Sequence, residues 1–167
     1  MKKTVSTIIY AISAIALVAL DQVTKILAQG ALKGNPNAVI IKNVFELEYL
    51  ENTGAAFSSF LGKQGFLIIL TSLVLLGCII EFLRIPSAKR FLGLRFSFLL
   101  LISGAIGNLI DRVRQGYVID FFYFVPVNFP RFNVADIYVT VSVILLIVLV
   151  LWVYKEEETE FLFKFKK

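Results

Sequence analysis

Apolar residues in this chain fall in long runs rather than in the short alternations of a soluble domain. Four runs stand out, over residues 4–28, 66–83, 91–112 and 134–154. A helix needs about 20 mostly apolar residues to cross a hydrocarbon core of about 30 Å, and each run meets or nearly meets that length. The pattern predicts an all-α membrane protein with four transmembrane helices in a single integral domain spanning residues 1–167. Between the first two runs the period changes. In the segment 36–60, Phe45, Leu47 and Tyr49 alternate with Glu46 and Glu48, and Lys42-Asn43 stands where a turn fits. Period-2 alternation is the mark of a half-buried strand, so this segment reads as a small amphipathic β-sheet lobe on the membrane surface. The connection 111–133 holds Phe121, Phe122, Tyr123, Phe124, Phe129 and Phe132. Aromatic side chains gather at the headgroup level, and the segment is expected to lie there, either as an anchor or as a wall that contacts lipid or peptide.

Composition supports the membrane reading. Of 167 residues, 58% are hydrophobic and 17% charged, against about 45–50% and about 25% in soluble domains. A net charge of +5 does not argue for a nucleic-acid partner in so apolar a chain; it is better read as topology. Ten of the 17 basic residues lie before the first run, between the second and third or just inside the latter, and after the fourth. The positive-inside tendency then puts both termini in the cytoplasm, which makes the β lobe extracytoplasmic. The first run, preceded by Lys2 and Lys3, has the look of a secretory leader. It continues past Ala14-Ile15-Ala16 into the charged segment Asp21–Lys25, so it reads as a retained span. The tail after Tyr154 reads as a solvated cytoplasmic end.

Polar groups at membrane depth are costly and suggest function. Glu81 has a local explanation, a pair with Arg84 at i+3 near the cytoplasmic side. The remaining ones collect near the outer side. Asp21 and Lys25 are spaced for an i,i+4 ion pair, which a simple salt bridge at a span end also explains. Gly104, Asn108 and Asp111 or Arg112 fall on one face of the third run. Asn52-Thr53-Gly54-Ala55-Ala56-Phe57 permits close backbone approach at Gly54 and reads equally as a plain turn. Asn133 followed by Asp136 fits a capping box at the start of the fourth run. No such local reason exists for Asp120, a lone carboxylate in Val118-Ile119-Asp120-Phe121-Phe122.

The chain has no histidine and one cysteine, Cys78, in mid-span. Histidine triads, Cys-His dyads, disulfides within the chain and Cys-cluster metal sites are therefore excluded. Hydrolysis would fall to paired carboxylates, a Ser/Lys pair or a metal held by Asp120, Asp136 and Asn133. Asp120 and Asp136 flank the aromatic segment, and a loop-back would bring them together. Paired carboxylates share a proton, one acting as base and the other as acid. Asp136 near a helix N-terminus suits the charge, and Asp120 among apolar side chains suits the proton. A small transporter and a lipid-binding membrane protein without protease activity remain alternatives.

The motifs in order are Asp21…Lys25, Glu51-Asn52-Thr53-Gly54-Ala55-Ala56-Phe57, Gly107-Asn108-Leu109-Ile110-Asp111-Arg112, Val118-Ile119-Asp120-Phe121 and Phe132-Asn133-Val134-Ala135-Asp136. This series resembles lipoprotein signal peptidase, also called signal peptidase II, over nearly the whole chain. The resemblance implies a monomeric aspartyl endopeptidase of the bacterial cytoplasmic membrane, with no metal or other cofactor and an active site near the outer face. It implies that the enzyme cuts diacylglyceryl prolipoproteins just before the lipidated cysteine, among membrane lipids, and is a target of globomycin-type inhibitors. Asp120 and Asp136 match the catalytic pair. Asp21, Lys25, Asn52, Gly54, Asn108, Asp111, Arg112 and Asn133 match supporting positions. The chain departs from the family after Ala135-Asp136. There Ile137-Tyr138-Val139-Thr140-Val141-Ser142 replaces the usual small residues and a following glycine.

Overall fold

The computed structural model describes residues 3–54 and 63–163, with side chains described from residue 7 to residue 159. Lys2, the segment 55–60 of the expected β lobe with Ala55, Ala56 and Phe57, and Lys164, Lys166 and Lys167 lie outside the described residues. The apolar runs form helices α1 (Lys3–Leu32), α2 (Gln64–Arg84), α3 (Leu92–Gln115) and α4 (Val134–Val148). A π-helical turn, Leu149–Val153, extends α4. Four helical segments are long and apolar enough to cross a membrane: Thr7–Leu32, Gln64–Arg84, Lys89–Gln115 and Val134–Val153.

Helix α3 is the centre of the bundle and packs against α1, α2 and α4. Its buried residues include Leu94, Phe98, Leu99 and Leu100 as well as Ser103, Gly104, Gly107 and Asp111. Helices α1 and α2 instead leave large aliphatic side chains exposed, among them Ile12, Ile15, Leu73 and Leu76, a surface suited to lipid. Small residues set the spacing on the α4 side. A Cβ at Gly104 would lie 2.5 Å from the Ala135 carbonyl oxygen and 2.8 Å from Val139 Cγ2. The bulky stretch after Asp136 is therefore accommodated by glycine on the facing helix: Tyr138 and Val139 pack on Gly104. Helix α3 ends where the sequence supplies Gly116, which takes φ +78 and donates its N–H to the Arg112 carbonyl, the left-handed cap that glycine adopts without a Cβ penalty.

At one end of the bundle sits an antiparallel sheet of order β1-β2-β3. Strands β1 (Ala38–Ile41) and β2 (Phe45–Asn52) form the expected hairpin, with Asn43 in the left-handed region at φ +59, which asparagine tolerates. The third strand, β3 (Val118–Phe124), comes from the aromatic segment that the sequence reading placed along the headgroups without a strand. The reason is physical. Val118, Ile119, Asp120 and Phe121 are all buried, so the strand is covered on both faces and loses the alternation that betrays a one-sided strand. The aromatic segment does loop back: Phe132 pairs with Phe122 on the free edge of β3. Ile119 and Phe121 pack with Ala28 and Leu32 of α1, and this contact seats the sheet on the bundle.

At the other end, Ile85, Leu94, Phe98 and Tyr154 form a separate apolar cluster. The tail read as a solvated end forms a short helix, α5 (Glu156–Phe163), on which Glu156 and Glu157 are exposed. Arg90 holds it, pairing with Glu158 at 2.9 Å and lying over the Tyr154 ring at 4.8 Å.

Candidate active site

The site begins with a charge cluster buried between α1 and α3. Asp21 and Lys25, one turn apart on α1, are 0% and 1% exposed. The Lys25 ammonium uses three donors at once, 2.9 Å each to Asp21 Oδ2, Asp111 Oδ2 and Asn108 Oδ1. The i,i+4 pair is thus a three-way bridge to α3 rather than a local salt bridge. Asp21 Oδ1 accepts from the Ala135 backbone N–H at 2.9 Å, tying α1 to the start of α4. Asp111 Oδ2 accepts from the Ile119 N–H at 3.3 Å, tying α3 to β3. A Cβ at Gly107 would fall 2.5 Å from Asp21 Oδ2, so glycine is what lets the carboxylate reach the helix crossing.

In front of this cluster stand two more carboxylates. Asp120 on β3 is 1% exposed. Its Oδ2 accepts from Asn52 Nδ2 of β2 at 2.8 Å, and its Oδ1 accepts from Asn133 Nδ2 at 2.6 Å. Asn133 is also the N-cap of α4 and forms the expected capping box. Its Oδ1 accepts from the Asp136 N–H at 3.0 Å, while Asp136 Oδ2 accepts from the Asn133 N–H at 3.1 Å. Asp136 Oδ1 accepts from Asn108 Nδ2 at 2.8 Å. One asparagine therefore caps a helix and grips Asp120 together. Burial, reinforced by the nearby Asp136 charge, pushes the Asp120 carboxyl up to about 7, against the opposing hydrogen bonds from Asn52 and Asn133.

Both carboxylates line one cavity of about 850 Å³. Asn52, Asn108 and Arg112 line it as well, beside apolar side chains that include Leu50, Phe129, Ile137 and Val141. Arg112 donates to the Gly54 carbonyl at 3.3 Å, and the Gly54 N–H donates to Asn52 Oδ1 at 2.9 Å. The ten candidate residues thus form one connected assembly: Asp120 and Asp136 at the cavity, Asn52, Asn108, Asn133, Gly54 and Arg112 around them, and Asp21, Lys25 and Asp111 behind. Sequence reasoning missed Gln22, which donates to Asp111 Oδ1 at 3.0 Å and to the Gly107 carbonyl at 3.2 Å. Its only signal was its place beside Asp21. Among the described residues, no group of three or more Asp, Glu, His or Cys side chains is placed to hold a metal ion. A buried acid pair, fixed by neutral amides and open to an apolar cavity, is equipped to activate water and protonate a carbonyl.

The chain is similar to known proteins over most of its length. The family model described as signal peptidase (SPase) II matches residues 13–152. The lipoprotein signal peptidase of Clostridium novyi (strain NT) is 42% identical over 129 residues, covering 75% of this chain and 86% of the relative. That of Lactococcus lactis subsp. lactis (strain IL1403) is 41% identical over 147 residues, covering 87% and 92%. A solved bacterial membrane enzyme, determined by the in meso method at 2.3 Å, superposes with a TM-score of 0.78 at 32% identity, covering 95% of this chain and 93% of its own. On the strength of a family match through all four spans and relatives this similar over most of their length, the chain belongs to the signal peptidase II family.

Proposed function

We propose that this multi-pass membrane protease of lipoprotein processing works by an aspartyl mechanism, with Asp120 and Asp136 as the catalytic pair. The observation that carries the reading is the Asp120 carboxyl, lifted to about 7 by burial and by Asp136 on a cavity that both acids line. A carboxyl poised near neutrality holds or gives up a proton at working pH. Asp136 stands in the first turn of α4 and accepts two N–H hydrogen bonds, which fix its carboxyl group beside the cavity. In the first step Asp136 takes a proton from water as the water oxygen attacks the scissile carbonyl carbon, and Asp120 gives its proton to the carbonyl oxygen. In the second step the tetrahedral carbon re-forms its carbonyl, the C–N bond breaks and the leaving nitrogen takes the proton held by Asp136. Asp120 recovers its proton from the hydroxyl.

The substrate class is a diacylglyceryl-modified prolipoprotein, cut on the N-terminal side of the lipidated cysteine. A cavity at one end of the spans, with mixed apolar and hydrogen-bonding walls, suits a peptide bond next to a lipid anchor. The bias of basic residues supports cytoplasmic termini and a cavity near the outer face. Asn108, Asn133, Asn52 and Gly54 position the acids, and Asp21, Lys25, Asp111 and Arg112 hold the helices that carry them. The chain acts as a monomer, and a globomycin-type cyclic peptide competes for the cavity. A transporter reading is disfavoured by the collection of acids at one end of the bundle rather than along it. The test is cleavage of a diacylglyceryl prolipoprotein by the purified protein in lipid, with mass analysis of both products. Release of the signal peptide and of a fragment starting at the lipidated cysteine is expected, and globomycin should block it. Cleavage elsewhere, or inhibition by chelators instead, would refute the assignment.

A further inference from the structure

Arg131 also lines the cavity, and neither the motif series nor the mechanism accounts for it. Its Nη2 donates to both oxygens of Glu48 at 2.7 and 2.9 Å, and its Nε donates to Glu48 Oε2 at 3.1 Å. The guanidinium lies 4.0 Å above the Tyr123 ring. Multiple N–H···O bonds plus a stacked face make this a directional contact rather than a loose surface pair. Its position is informative. Glu48 stands four residues before Asn52 on β2, and Arg131 stands two residues before Asn133. Asn52 and Asn133 are the two amides that grip Asp120. The ion pair therefore fastens together the two segments that supply the grip, across the strand that carries the acid.

The sheet is irregular at this point. The β2–β3 register shifts between the Leu47–Phe122 and Leu50–Asp120 pairs, and Glu48 falls within that interruption. The returning loop is held to β3 by backbone bonds between Phe132 and Phe122 and from the Phe129 N–H to the Phe124 carbonyl at 3.1 Å, and Tyr123 donates to Asn128 Oδ1 at 2.9 Å; none of these contacts reaches β2. We propose that the Glu48–Arg131 pair is a positioning device that spans this irregularity and sets the separation of the Asn52 and Asn133 amides around Asp120. The inference rests on the aspartyl reading above. Misplacement of a reacting group by about 1 Å can cost about a hundredfold in rate, so a contact remote from the scissile bond can still govern kcat.

The experiment compares the parent, Glu48→Gln, Arg131→Gln and the charge reversal Glu48→Arg/Arg131→Glu in the same lipid, measuring kcat, KM and Tm on a diacylglyceryl prolipoprotein. Each single variant should lose about tenfold in kcat while KM stays within about twofold. Melting should change little, because each partner is 26% exposed. The reversal should recover much of the lost kcat. Glu48→Gln keeps the strand's shape and decides the matter even if Arg131→Gln folds poorly. Parental kcat in folded Glu48→Gln overturns the inference. So does a rise in KM at constant kcat, which would make Arg131 a substrate contact, and so does a reversal no more active than the single variants. Asp120→Asn runs alongside: if it cleaves, or if the parent does not, the aspartyl reading itself fails and takes this inference with it.

Discussion

The two ends of the helical bundle use charge in opposite ways. At the sheet end, Lys25, Asp21 and Asp111 have side chains no more than 4% exposed, and each binds partners on other elements. At the α5 end, Arg90 and Glu158 also bridge distant segments, but their side chains are 48% and 29% exposed. A buried ion whose partner is lost keeps its desolvation penalty, whereas an exposed one returns to water. The sheet end is therefore costly to build and intolerant of single changes, as expected of a site that must hold acids in fixed geometry. The α5 end is a fastening that the fold can lose.

The strongest way to break this comparison is Lys25→Met, which leaves Asp21 and Asp111 without their cation. Removing one member of a buried charge network costs about 3–5 kcal/mol, so folded yield and Tm in detergent should collapse. A variant that melts like the parent would put Lys25 on the same footing as Arg90. Next in size is Gly104→Ala at the α3–α4 crossing. The new methyl meets the Ala135 carbonyl, a backbone atom that cannot rotate away. The cost should be about 1–3 kcal/mol, with reduced cleavage because α4 carries Asp136.

A smaller effect concerns pH. Asp120 titrates near 7 when folded, against an ordinary value of 3.8. The folded protein then binds a proton that the unfolded chain has released between those values. This acid's contribution to stability is therefore most favourable below about pH 4, declines as pH rises towards 7 and is flat above. The gap in Tm between Asp120→Asn and the parent should therefore shift in the variant's favour as pH rises from 4 to 8. A constant gap would show that burial does not shift this acid. Smallest of all is Glu158→Gln. Tm and cleavage should match the parent, and any residual loss should vanish at high salt.

The helical part of the fold was legible because a membrane demands long apolar runs and the sequence contains four of them. The candidate site was legible because Asp120 had no local excuse and because the ordered motifs resemble a family. What stayed hidden has a common cause. Strand β3 is buried on both faces, so burial erased its period. Lys25 and Asp21 are visible as an i,i+4 pair, but local spacing carries no trace of Asn108, 83 positions away. Arg131 and Glu48 are likewise 83 residues apart, and each looks like an ordinary charge in a surface segment. The α5 helix hides in a run of glutamates that alone favours solvent; its anchor, Arg90, lies on the far side of two spans.

The central claim is that Asp120 and Asp136 act as one catalytic unit, and a double-variant cycle tests it most directly. Asp120→Asn, Asp136→Asn and the double variant would be assayed together for prolipoprotein cleavage and thermal stability in one detergent. Asparagine keeps the side-chain shape at each position, and Asn133 still caps α4, so all three should fold. Each single change should abolish cleavage, and the double should be no worse, because residues acting as a unit are strongly non-additive. Substantial cleavage by a folded Asp120→Asn protein, or losses that simply add, would contradict the account.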